Sequence, residues 1–170
     1  MADAILQTTE RLLETHSLEE LRVADILSQA GASKAAFYGK YANKAAVVAA
    51  LVRRGVDEAI PVAEAALQSE HMADRDALAR AIRGWLETLS GHRPLILAAI
   101  DGRARHPELA ELYQNAFARL RASIPLEPAL GAAVLAVAES TLEGYLRASP
   151  HLSDPEQVSG VLASTYHDLG

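Results

Sequence analysis

The chain has 170 residues, of which 50% are apolar, and its net charge is −6. This length and apolar fraction allow one or two compact domains with a real core, and they exclude disorder over most of the chain. The lack of cysteine excludes disulfides and cysteine-based metal sites. Alanine and leucine dominate, whereas aromatic residues make up only 5%, so we predict an all-α fold.

The opening residues, Met1 to Ala4, show neither the basic nor the apolar region of a secretion signal. The sequence also contains no run of about 18 uncharged apolar residues, which is the length that a membrane span requires. We therefore expect a cytoplasmic protein that does not interact with a membrane.

Apolar periodicity and capping residues predict about nine helices, without an internal repeat. The first three are predicted over residues 3–15, 23–30 and 34–38. Gly31 stands where the end of a helix requires a positive φ, and Ser33 is placed to cap the third helix. A helix, a short turn with glycine and a second helix have the spacing of a DNA-binding helix-turn-helix.

A fourth helix is predicted to begin after Asn43 and to end or kink at Pro61. The fifth is expected to stop at Gly91. Further helices follow from proline and capping signals. The predicted ranges and starting points are 74–90, a buried segment at 95–100, Pro107 onward, 129–147, and Asp154–Pro155 onward.

Positive charge is concentrated near the start of the chain. All three lysines lie between residues 34 and 44, and no acidic residue occurs between Asp25 and Asp57. Lys34 and Lys44 are each predicted to begin a helix, where a cation opposes the helix dipole by about 0.3–1 kcal/mol. Two such placements are explained if both side chains face an external anion such as a phosphate. The alternative is that these lysines are solvated surface residues.

Enzyme motifs are not found in the sequence. The six histidines form no metal-ligand pattern, and neither a glycine-rich phosphate loop nor a nucleophile elbow occurs. We predict no catalytic site, no metal site and no cofactor.

The run from Val23 to Lys44 resembles the DNA-binding segment of the tetracycline-repressor (TetR) family. The residues that match the family pattern at fixed spacing are Val23, Asp25, Ile26, Ala30, Gly31, Ser33, Tyr38 and Lys44. The resemblance covers about residues 5–55. It implies a three-helix, homeodomain-like DNA-binding domain over residues 1–48 and a helical effector-binding and dimerisation domain over residues 49–170.

The resemblance implies that Tyr38 and Lys44 contact phosphates and that the third helix reaches base edges. The predicted DNA-binding residues are Arg22, Ser33, Lys34, Ala35, Ala36, Tyr38, Gly39, Lys40 and Lys44. Arg22 stands where the family often has a capping threonine, and it cannot cap as an acceptor. Ala35 and Ala36 can only pack on thymine methyl groups, so shape readout gains importance. The alternative for Tyr38 is a half-buried core residue.

The resemblance further implies an effector pocket and a homodimer interface in the later helices. The predicted pocket residues are Ile82, Trp85, Leu89, Ile96, Ile100, Tyr113, Phe117 and Tyr145. The predicted interface residues are Val134, Leu135, Ala138, Leu142, Leu146, Val158, Val161 and Leu162. Both sets have the alternative of ordinary core packing.

These observations predict a ligand-responsive repressor of transcription. It would bind a near-palindromic operator in double-stranded DNA as a homodimer, and a small apolar or aromatic effector would release it. One alternative is a helical protein-interaction module with weak or vestigial DNA binding. Another is a small helical enzyme with an unrecognised site.

Overall fold

The computed structural model describes residues 2–67, 75–124, 126–148 and 154–169. Within these residues it contains nine α-helices and no strand, so the prediction of an all-α fold is confirmed. The helices are α1 (Ala2–Leu13), α2 (Val23–Ala30), α3 (Lys34–Tyr38), α4 (Lys44–Leu67), α5 (Arg75–Gly91), α6 (Arg93–Gly102), α7 (Pro107–Ser123), α8 (Pro128–Arg147) and α9 (Pro155–Leu169).

Local capping chemistry sets several of these ends. The amide of Ala46 donates to Asn43 Oδ1 at 2.8 Å, which caps the start of α4 as predicted. The amide of Glu156 donates to Asp154 Oδ1 at 2.9 Å at the start of α9. Of the two expectations for Pro61, the end of the helix is wrong, since α4 continues to Leu67. A proline removes one helical hydrogen bond, and the 24-residue α4 includes Pro61 without ending there.

The chain forms two compact units, and the first combines residues 1–56 with residues 93–115. It therefore contains α1 to α3, the first part of α4, α6 and the first part of α7. Its core is a continuous apolar cluster drawn from all of these helices. Fully or almost fully buried members are Ile5, Leu13, Leu18, Ile26, Phe37, Val47, Val48 and Leu109. This core holds the short α3 in place.

The second unit combines residues 57–92 with residues 116–170. In it, α5 packs along α9, and α9 also packs on α8. Arg119 of α7 forms an ion pair with Glu64 of α4 at 3.2 Å, and Arg75 donates to the Ser164 hydroxyl. The predicted functional boundary between residues 48 and 49 stays a prediction.

Helix α8 is apolar but poorly covered. Residues 129–147 have the length and mean hydropathy (1.2) of a membrane span, yet only 22% of that stretch is buried. Length and composition alone do not assign a membrane span, because core and interface helices share them, and Glu139 and Glu143 lie within this one. The described residues therefore leave an apolar surface of α8 uncovered.

Candidate DNA-binding surface and apolar cavity

The turn between α2 and α3 depends on one glycine. Gly31 has φ 61° and ψ 30°, in the left-handed region, and its amide donates to the Leu27 carbonyl. The amide of Ala32 donates to the same carbonyl at 3.1 Å. The predicted positive φ at Gly31 is confirmed. Because glycine lacks Cβ, the chain reverses here without steric cost, and this orients α3.

Ser33 caps α3 as predicted. Its backbone is extended, and its hydroxyl oxygen accepts a hydrogen bond from the Ala36 amide at 3.1 Å. The serine hydroxyl keeps its own proton for donation to another acceptor. Ser33 is exposed, so both the capped helix start and this donor are open to solvent.

The aromatic residues of α3 divide between core and surface. Phe37 is completely buried and packs edge-on against the Tyr38 ring, with centroids 5.2 Å apart. Tyr41 is also buried, and its ring lies 5.9 Å from that of Phe37. Tyr38, in contrast, is 56% exposed, so the half-buried core alternative does not describe it. An exposed tyrosine hydroxyl fixed by a buried neighbour is suited to contact a phosphate.

The rest of α3 presents small and positive side chains. Lys34, Ala35 and Lys40 are exposed, whereas Ala36 is half-buried. Gly39 ends the helix, and a Cβ at this position would lie 2.9 Å from the Ala35 carbonyl oxygen. A side chain at Gly39 would therefore force the backbone to shift. With glycine here, no side chain projects from the surface at the end of α3.

Lys44 is anchored within the first unit. Its Nζ donates to the carbonyl oxygens of Glu19 at 2.8 Å and Leu21 at 2.9 Å. These two bonds explain a lysine at the start of α4 without any DNA. A lysine ammonium carries three donors, so one remains for a phosphate. The sequence could not reveal these bonds, since they join positions more than twenty residues apart.

The segment that receives Lys44 is itself ordered by a side-chain pair. The amide and hydroxyl of Ser17 both donate to Glu20 Oε2, at 2.9 and 2.8 Å. These bonds lower the pKa of Glu20, because they stabilise its ionised form. Arg105, which lies between α6 and α7, contacts Glu19 Oε1 through Nη1 at 3.0 Å.

Arg22 is engaged by Asp25 rather than free. Its Nε and Nη2 donate to the two carboxylate oxygens of Asp25 at 2.8 and 3.2 Å. This bidentate bond raises the pKa of the Arg22 guanidinium. Arg22 forms no side-chain cap on α2, as expected for a residue without an acceptor. A phosphate contact by Arg22 would have to share it with Asp25.

The second unit contains an apolar cavity of about 120 Å³. Helices α4, α5, α7, α8 and α9 all contribute to its wall. The lining residues are Ala63, Leu78, Ala81, Ile82, Trp85, Phe117, Leu120, Ile124, Val134, Leu135, Ala138, Leu142, Leu162, Thr165 and Tyr166. Burial raises the pKa of Tyr166, which keeps its hydroxyl neutral.

The predicted pocket residues are placed in three ways. Ile82, Trp85 and Phe117 line the cavity. Leu89 and Tyr145 belong to the same unit but do not line it, and the Tyr145 hydroxyl bonds to Ser90 at 2.8 Å. The predicted pocket residues that belong to the first unit are Ile96, Ile100 and Tyr113. The Tyr113 ring packs there under Arg103, at 4.4 Å.

The predicted interface residues are also divided. Those that line the cavity are Val134, Leu135, Ala138, Leu142 and Leu162. Leu146 is buried within its unit, Val158 is half-buried, and Val161 is 54% exposed. The face of α8 that stays exposed is a different one. It carries the uncharged residues Leu130, Ala133, Val137, Ser140 and Gly144 at helical spacing.

Comparison with known proteins supports the assignment of the N-terminal helices. Residues 5–51 match the family described as bacterial regulatory proteins, tetR family. Over 113 residues the chain is 33% identical to the HTH-type transcriptional regulator EthR of Mycobacterium tuberculosis, a match that covers 66% of this chain and 52% of that regulator. The chain thus spans about half the length of this relative.

Two solved structures share the fold of the whole chain. A Mesorhizobium loti protein assigned to the TetR family has a TM-score of 0.71 at 12% identity, covering 99% of this chain and 94% of that one. The TetR family regulator PfmR of Thermus thermophilus has a TM-score of 0.67 at 19% identity, covering 95% and 96%. Together with the helix-turn-helix geometry, these findings show that residues 5–51 belong to the tetR family of bacterial regulatory proteins and that the chain shares the fold of the two solved structures.

Proposed function

We propose that this protein is a cytoplasmic transcriptional repressor that binds a near-palindromic operator as a homodimer and is released by a small apolar effector. The observation that carries the proposal is the surface of α3. Ser33 caps the start of this helix, and Lys34, Tyr38 and the following Lys40 are exposed. They lie within a stretch of sequence that lacks acidic residues. Such a surface favours the phosphate backbone and fits the major groove.

DNA contact would combine phosphate binding with weak direct readout. Tyr38, Ser33 and the third donor of Lys44 supply phosphate contacts, and Lys34 and Lys40 add charge. Ala35 and Ala36 carry no hydrogen-bonding side chain, so they select only by contact with thymine methyl groups. We therefore expect modest base specificity, supplemented by the shape of the operator.

A second copy of the chain is the proposed occupant of the exposed face of α8. Leu130 and Val137 lie exposed on this face, and Val161 is exposed on α9. The small uncharged residues Ala133, Ser140 and Gly144 on the same face of α8 allow another helix to pack closely. A two-fold dimer would place two α3 helices about 34 Å apart, one turn of DNA, which matches a palindromic site.

Effector release would use helices shared by the two units. The cavity wall includes Ala63 of α4 and Phe117 of α7, and each of these helices also contributes residues to the first unit. An effector that favours one arrangement of α4 and α7 would shift the population toward the form that binds DNA poorly.

Selection of DNA fragments from the source genome tests this function. Bound fragments are sequenced for the parent protein and for a Tyr38→Phe, Lys40→Ala variant. The proposal predicts that the parent enriches one near-palindromic sequence and that the variant loses this enrichment. Arg80→Ala is the matched control, because it removes an exposed positive charge from the second unit.

The alternative of a protein-interaction module has one observation in its favour. Arg22 and Lys44, two of the predicted DNA-binding residues, are engaged in bonds within the protein. That function predicts no enriched DNA sequence for the parent. It would also leave the Tyr38→Phe, Lys40→Ala variant indistinguishable from the parent in DNA binding.

A further inference from the structure

The α1–α2 turn (residues 17–21) is contacted through both the backbone and the side chain of Glu19. Leu18 and Leu21 are buried and anchor this turn in the core of the first unit. The Glu19 carbonyl accepts a hydrogen bond from Lys44 Nζ at 2.8 Å, whereas the Glu19 side chain is 51% exposed. Glu19 therefore connects Lys44 with the group that binds its carboxylate.

Arg105 binds the Glu19 carboxylate. Its Nη1 donates to Glu19 Oε1 at 3.0 Å, which is a charge-assisted hydrogen bond. His106 Nε2 lies 3.7 Å from the same oxygen, a distance that is too long for a hydrogen bond. Of these two neighbours, it is Arg105 that forms a hydrogen bond with the carboxylate.

Close packing fixes the position from which Arg105 reaches Glu19. The amides of Arg105 and His106 both donate to the Gly102 carbonyl, at 3.0 and 2.9 Å, and so close a compact turn after α6. Gly102 is buried, and a Cβ there would lie 2.6 Å from Leu109 Cδ1 and 2.8 Å from Leu18 Cδ2. The end of α6 therefore packs against the α1–α2 turn without space for a side chain at Gly102.

Two carbonyl bonds restrict the direction of the remaining Lys44 donor. Nζ donates to the Glu19 carbonyl at 2.8 Å and to the Leu21 carbonyl at 2.9 Å, so two of the three N–H bonds of the ammonium group have fixed directions. Because this group is tetrahedral, the direction of the third N–H bond is then fixed as well. A displacement of the α1–α2 turn would redirect it.

We propose that Arg105 is a positioning residue for the contact between Lys44 and a DNA phosphate. Its bond to the Glu19 carboxylate holds the α1–α2 turn, and the carbonyls of this turn direct the third donor of Lys44. Arg105 has this effect without touching DNA. This role rests on the proposed function, because it requires that Lys44 contacts a phosphate.

Replacement of Glu19 by alanine tests this role in DNA binding. Glu19→Ala keeps the carbonyl that binds Lys44 and removes a negative charge, so electrostatics alone would strengthen DNA binding. The proposal instead predicts that the variant binds the operator selected by the parent about two- to tenfold more weakly. An exposed ion pair contributes little energy, and a dimer loses two of them.

Variants of the partner residue complete this test. Arg105→Ala should weaken operator binding as much as Glu19→Ala, and Arg105→Lys should restore most of the affinity. The losses should not add in the double alanine variant, because both changes remove the same bond. Arg54→Ala is the matched control, since it removes a positive charge from an exposed position of the first unit and should keep the parent's affinity.

The side-chain ammonium signals of the lysines test the same bond without DNA. A sample with ¹⁵N-labelled lysine contains three such groups, those of Lys34, Lys40 and Lys44. Lys34 and Lys40 are exposed, whereas the two bonds of Lys44 should slow its proton exchange with water and so distinguish its signal. The two alanine variants that break the ion pair should shift or broaden the Lys44 signal, and Arg54→Ala should leave it unchanged.

The proposal is overturned if Glu19→Ala binds the operator as tightly as the parent or more tightly, or if the losses add in the double variant. It is also overturned if the Lys44 signal is the same in the parent and in both single variants. Failure of the proposed function would look different, because the parent itself would then select no operator. The role of Arg105 in DNA binding would fall with it, even if the Lys44 signal responded to the variants.

Discussion

At the scale of single residues, two positions define the turn that presents α3. Gly31 provides the positive φ, and Ser33 caps the helix. Both could be predicted from the sequence, because a left-handed backbone and an open helix start each demand a particular residue type. The role of Lys44 could not, because its partners are carbonyls in a distant segment.

Replacement of Gly31 by alanine tests the backbone requirement. With φ at 61°, Gly31→Ala should lower the free energy of unfolding by about 1–2 kcal/mol, the cost of a left-handed residue with Cβ. Gly55→Ala is the control, since Gly55 lies inside α4 and an added Cβ would meet no described atom within 4 Å. It should stabilise by up to about 1 kcal/mol through helix propensity. If the two variants shifted the unfolding temperature in the same direction, the result would contradict this account.

Lys34 and Lys44 are expected to differ in what they stabilise. Lys34→Gln should raise the free energy of unfolding by up to about 1 kcal/mol, because it removes a cation from the start of α3, and it should weaken DNA binding, because Lys34 is exposed. Lys44→Gln should lower the free energy of unfolding by about 1–3 kcal/mol, because two carbonyls lose a charged donor. Denaturant unfolding and DNA titration of both variants measure the two effects. If Lys44→Gln were as stable as the parent, the two bonds from Lys44 to carbonyls would contribute nothing to folding stability.

At the scale of elements, helix positions were largely predictable and helix partners were not. The bounds predicted for α2 and α3 agree with the structure, since apolar spacing and caps act locally. The resemblance implied that Val134, Leu135 and Ala138 belong to a dimer face, and within one chain these residues line the cavity. A helix that is apolar on more than one side gives no local signal for which side meets which partner.

The grouping of helices was equally hidden from the sequence. Residues 93–115 join the first unit, although they follow α5 of the second. Leu95, Ala98 and Leu109 complete the core that also contains α1 and α3 residues. Such long-range pairing depends on the shape of whole surfaces, and the spacing of apolar residues does not encode it by itself. For this reason three predicted pocket residues lie in the first unit, whereas the cavity belongs to the second.

The exposed face of α8 provides a test of dimerisation. Val137 is 38% exposed and lies between Leu130 and Gly144 on that face. Val137→Glu would bury a charge without a partner in a dimer, so we expect monomers in analytical ultracentrifugation with unchanged helix content. Ala118→Glu places the same charge on an exposed site of α7 and should leave the dimer intact. Identical masses for the two variants would exclude this face as the interface.

At the scale of the whole molecule, charge distinguishes the proposed DNA-binding region from the rest of the chain. Residues 1–55 carry seven basic and six acidic side chains, whereas the whole chain has a net charge of −6. The acidic remainder repels DNA, so binding must come through the N-terminal helices. DNA binding should therefore be sensitive both to salt and to the loss of Lys34 in α3 or of Lys40 just after it.

The most direct test is the salt dependence of operator binding for the parent, Lys34→Gln and the control Arg80→Gln. We predict that log affinity falls steeply with log salt and that Lys34→Gln makes the slope shallower by about 2, since each phosphate contact contributes about 0.9 and a dimer has two such lysines. Arg80→Gln should keep the parent's slope. A flat salt dependence, or the same slope for Lys34→Gln and the parent, would contradict DNA binding through α3.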